Sequence, residues 1–71
     1  MNIPIHSEYI ELNKLLKLID IAPSGGIAGE MIAEGSIYVD NIQEFRKKRK
    51  VYPGMSVRYE NQEFFIIEEQ K

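Results

Sequence analysis

Seventy-one residues without a single cysteine exclude disulfide staples and thiolate metal centres, so apolar burial alone must hold one small domain. An apolar share of 44% is enough for a core, and 28% charged residues is ordinary for a folded, water-soluble chain. The net charge of −2 conceals a polarity: Arg46-Lys47-Lys48-Arg49-Lys50 carries +5, which leaves −7 on the other 66 residues, an acidic body with one basic stripe.

The first residues, MNIPIHSEYIEL, lack the basic start and long apolar run of a signal peptide, and no apolar stretch approaches the length needed to cross a bilayer. A cytoplasmic protein is therefore expected. Ile3 and Ile5 alternate with Pro4 and His6, which suits a short edge strand. Leu12, Leu15, Leu16 and Ile19 then follow the spacing of an amphipathic helix, and Lys14 and Lys17 share another face of it. Residues 20–23 end that helix at Pro23.

Ser24-Gly25-Gly26 reads as the start of a second helix, with serine as N-cap and the glycines leaving the first amides uncovered. Ile27, Ala28, Met31 and Ile32 make its apolar side, and Gly35 stops it. Gly29 in its interior points to the close approach of another backbone. The remainder reads as β. Ile37 and Val39 alternate with Ser36 and Tyr38, Asp40-Asn41 suits a hairpin turn, and residues 42–45 return as a short irregular strand. Pro53-Gly54 turns the chain into the alternating run Met55, Val57, Tyr59; Asn61-Gln62 turns it again into a last strand over residues 64–67. The expected fold class is α+β, two short N-terminal helices packed on a small, mostly antiparallel sheet of about four to five strands, in one domain spanning residues 1–71.

This order resembles the S-four-like RNA-binding domain, or αL motif. The resemblance is carried by Leu15-Leu16-Lys17-Leu18-Ile19, Ser24-Gly25-Gly26-Ile27-Ala28, residues 32–39, the turn Asp40-Asn41, the basic run and Pro53-Gly54-Met55-Ser56-Val57. It covers roughly residues 9–59, and the chain looks like small stand-alone bacterial members of the YaaA and YbcJ type. Three positions differ from the family's usual pattern: Gly29 where a lysine is common, Asp40-Asn41 for Asn-Gly, and an uninterrupted basic run where a glycine usually sits inside. The resemblance implies a helix pair and a hairpin arm that present basic and polar side chains to structured RNA, ribosomal or transfer RNA in particular.

Arg46, Lys47, Lys48, Arg49 and Lys50 are the leading candidates for phosphate contact, because adjacent cations repel one another unless an anion gathers them. Lys14 and Lys17 would widen the footprint, though Glu11 is placed to pair with Lys14. Ser24 and Gly25 could offer amides to a phosphate or simply cap the helix. Tyr38 and Tyr52 are candidates for stacking on an unpaired base, with a place in the core or at its rim as the plainer alternative. His6 is the only histidine and has no companion ligands, so no metal or cofactor is expected. Neither Ser24 nor the pair Glu30 and Glu34 has the partners catalysis requires, so the protein is not expected to be an enzyme. A monomer binding RNA is the leading expectation, with a ribosomal or other protein as a possible further partner. An adaptor that docks an acidic protein through the same basic segment is the rival, and duplex DNA binding a second one.

Overall fold

The computed structural model describes residues 1–69. Nine elements follow in chain order: β1 (Asn2–Ile5), β2 (Ile10–Glu11), α1 (Leu12–Leu18), α2 (Gly25–Ala33), β3 (Ile37–Val39), β4 (Ile42–Gln43), β5 (Lys50–Val51), β6 (Ser56–Tyr59) and β7 (Gln62–Glu68). Five strands form one sheet in the order β1-β7-β6-β3-β4, and β2 pairs with β5 as a separate two-stranded ribbon. All pairings are antiparallel except β1 with β7, where Asn2 lies beside Phe65 and Ile5 beside Glu68. The fold is the expected α+β arrangement.

One face of the sheet is apolar because alternation along each strand is preserved across the register. Ile37 and Val39, Val57, Phe64 and Ile66, and Ile5 are all buried. Leu12, Leu15 and Leu16 from α1 and Ala28 and Ile32 from α2 join the same core, with Val51 and Ala22. Tyr38 points away from that face, as the alternation requires, and packs under Arg58, whose guanidinium carbon lies 4.5 Å from the ring centroid.

Turn chemistry accounts for the boundaries. Asp40 and Asn41 adopt φ of 51° and 67°, the left-handed pair of a two-residue hairpin loop. The Asp40 carboxylate also accepts the Ser56 amide at 2.8 Å, which ties this turn to β6. Gly35, at φ 83°, closes α2: its amide donates to the Ile32 carbonyl, and the Ser36 amide donates to that of Met31. The second hairpin turn sits at Glu60 and Asn61, one residue before the expected Asn61-Gln62, and Glu60 takes φ of 54°. That shift keeps Phe64 and Ile66 in register with the core face. Helix α1 stops at Leu18 rather than Ile19, where Asp20 turns to φ 62° and frees the chain to descend toward Ala22. Ile27 differs from its expected place in the core: it lies 41% exposed near the open end of α2, while Ala28 and Ile32 carry the packing.

The candidate nucleic-acid interface

The basic run is not a free tail. Its backbone caps the N-terminal end of α1. Glu11, the residue before that helix, makes no side-chain cap. Instead the amides of Leu12 and Asn13 donate to the carbonyls of Arg49 and Lys47, at 2.8 and 2.9 Å. Two of the unpaired amides every helix start exposes are thus satisfied by the arm itself. The ribbon between β2 and β5, with Ile10 opposite Val51 and Glu11 opposite Lys50, fixes the same arm from its other end.

Glu44 organises the arm from within. It is the only acidic residue between Asp40 and Glu60, and its side chain is nearly buried. One carboxylate oxygen accepts the amides of Phe45 and Arg46 at 3.1 and 3.0 Å and the Arg46 Nε at 3.1 Å. The other accepts Arg46 Nη2 at 3.2 Å and Arg49 Nη1 at 2.7 Å. This is a bidentate Arg46 pair with a second arginine across it. The Arg46 guanidinium, helped by its own amide and by Arg49, outweighs burial and holds the Glu44 carboxyl down to about 2 from the usual 4.5. Glu44 in turn raises the Arg46 pKa.

The five cations are therefore of two kinds. Arg46 and Arg49 share the single carboxylate of Glu44, which offsets one of their two charges, and Arg49 is only 32% exposed. Lys47, Lys48 and Lys50 are exposed and have no ion-pair partner among the described residues. Reading the sequence as five equivalent cations missed this division. The sequence does set a lone acid two residues before one arginine and five before the other, but nothing local says that the fold buries it between them.

Beside the arm, the start of α2 is open. A shallow depression is lined by Asn13, Gly25, Gly26, Gly29, Glu30, Ala33, Lys47 and Lys48, so Gly25 and two of the lysines are brought together. The Ser24 hydroxyl is engaged as the N-cap, accepting the Ile27 amide at 3.2 Å. Gly29 faces the arm in an unexpected way. A Cβ there would lie 3.4 Å from the Lys47 Cδ, so its neighbour is the stem of a lysine side chain and not another backbone. Lys14 and Lys17 are exposed on α1 next to Ile10 and Leu18, a surface separate from that depression. Lys14 lies 3.5 Å from Glu11. A second groove, lined by Arg46, Lys48, Arg49, Lys50 and Tyr52, runs along the other side of the arm. Among the described residues no three His, Cys, Asp or Glu side chains gather to hold a metal, and no helix is long and apolar enough to cross a membrane.

Comparison with known proteins gives a consistent set of relatives. The S4 domain family model matches residues 3–67. The probable ribosome maturation protein RlbA of Bacillus subtilis (strain 168) is 38% identical over 58 residues, covering 82% of each chain. The solution structure of YbcJ from E. coli, described as an αL motif involved in RNA binding, superposes with a TM-score of 0.65 at 33% identity. That match covers 94% of this chain and 84% of YbcJ.

Proposed function

The chain belongs to the S4 domain family, and from that membership we propose that it binds folded RNA and performs no chemistry on it, the whole chain acting as one such domain. The observation that carries this reading is the arm. Lys47, Lys48 and Lys50 stand exposed on a backbone held by Glu44 and by the start of α1, so several cations meet a phosphate backbone with little ordering left to do. Gly25 and Gly26 contribute amides beside Lys47 and Lys48, and Lys14 and Lys17 widen the footprint from a separate surface of α1. Ser24 supports the site as a cap, and Arg46 and Arg49 act chiefly by shaping the loop, with the outward edge of Arg46 free to meet a phosphate. Recognition leans on phosphate spacing and shape. The RlbA relative, described as a probable ribosome maturation protein, supports ribosomal RNA as the target and the cytoplasm as the place.

The test is affinity for folded ribosomal RNA fragments across a salt series, beside an acidic peptide as competitor. Four or five phosphate contacts give a log–log salt slope of about −3 to −4.5. Changing Lys47, Lys48 and Lys50 to glutamine should flatten it by about 2 to 3. Preference for the acidic peptide, with no RNA bound at low salt, would replace this reading with that of a protein adaptor.

A further inference from the structure

The ribbon between β2 and β5 has an outer side that phosphate binding alone does not use. Ile10 pairs with Val51, which is buried, so the flanking residues Tyr9 and Tyr52 alternate to the opposite side. Their ring centroids lie 5.6 Å apart at an interplanar angle of 46°. Lys50 Nζ sits 4.9 Å from the centroid of Tyr9. Tyr9 is thus held between a cation and an aromatic neighbour, whereas Tyr52 is 39% exposed and lines the groove with Arg46, Lys48, Arg49 and Lys50.

The backbone under Tyr52 is fixed. Its carbonyl accepts the Met55 amide at 3.1 Å across the Pro53-Gly54 turn, and Gly54 takes φ of 97°, which closes a turn with proline in its second position. Its own amide donates to the Met55 sulfur. Charge is asymmetric about the ring pair. Glu8, Glu11 and Lys14 line the surface on the Tyr9 side, with Lys14 paired to Glu11 at 3.5 Å, and four cations of the arm with no acid line the Tyr52 side.

Resting on the RNA-binding reading above, we propose that Tyr52, backed by Tyr9, is a stacking platform for one unpaired nucleotide of the bound RNA. The base lies on the Tyr52 ring, and its phosphate turns toward the cations that line the groove beside it, Lys48 and Lys50. An aromatic face accepts any base, so the platform selects for an unpaired nucleotide rather than for its identity. The arm would read the backbone, and the platform would report where the helix is interrupted.

Two RNA hairpins of equal length test this with the full chain, one fully paired and one carrying a single bulged 2-aminopurine. The bulged hairpin should bind about tenfold more tightly, with its fluorescence quenched on binding. Tyr52→Leu, which keeps apolar bulk against Tyr9 but removes the ring, should abolish the preference and the quenching. Tyr52→Phe should retain both, which also guards against a folding defect in the leucine variant. Equal binding of the two hairpins by the unaltered protein, or a preference that survives Tyr52→Leu, would overturn the platform while leaving RNA binding intact. Failure to bind either hairpin at low salt would remove the RNA-binding reading and this inference with it.

Discussion

Replacing Glu44 with glutamine removes one negative charge and almost no volume. The amide oxygen can still accept the Phe45 and Arg46 amides, but its NH2 group then faces the arginine donors that the second carboxylate oxygen now accepts. The fall in the Glu44 pKa from 4.5 to about 2 corresponds to about 3 kcal/mol without screening. The Arg46 side chain is 71% exposed, so solvent takes part of this, and a loss of about 2 kcal/mol is expected. A domain of this size holds only about 3–5 kcal/mol in total, and the change should lower the melting temperature by about 8–16 °C. The sign with pH follows from the folded carboxyl being held below its unfolded value. Its stabilisation is complete above about pH 5 and fades as pH falls from 4.5 toward 2. Urea unfolding of both proteins should show the full gap at pH 7 and less than half of it at pH 3. A gap below about 0.5 kcal/mol at pH 7, or one unchanged at pH 3, would refute the clamp.

Two glycines give opposite expectations. Gly35→Ala puts a Cβ at φ 83°, 2.4 Å from Gln43 Nε2, and should destabilise by more than about 1 kcal/mol in chemical denaturation. Gly29→Ala meets only the movable Lys47 stem at 3.4 Å, and should stabilise by about 0.5–1 kcal/mol in the same assay through helix propensity.

Local chemistry made most of the elements legible. The spacing of Leu12, Leu15 and Leu16, the serine cap, the Asp40-Asn41 turn and the alternation through Val57 each report on neighbours within a few residues. Partners distant in sequence were not legible. Nothing in Ile3 and Ile5 specifies a parallel pairing with β7, and nothing in Ile10 announces Val51. Glu44 was hidden for a related reason: an acid inside a strand-like segment looks like surface charge until the fold buries it. Gly29 misled: no other backbone approaches it, and a Cβ there would meet only the Lys47 side chain at 3.4 Å. The contact of Tyr9 with Tyr52 was not legible either, because the two lie far apart along the chain and meet only through the ribbon.

The parallel pairing of β1 with β7 joins Asn2 to Phe65, and this sets an order of events during synthesis. At about 5–20 residues per second, several seconds separate the appearance of the first strand from that of its partner. The helix pair and the β3–β4 hairpin can form in that interval from local contacts, whereas Ile3 and Ile5 must wait. Strand β1 cannot take its place in the sheet until β7 has been made.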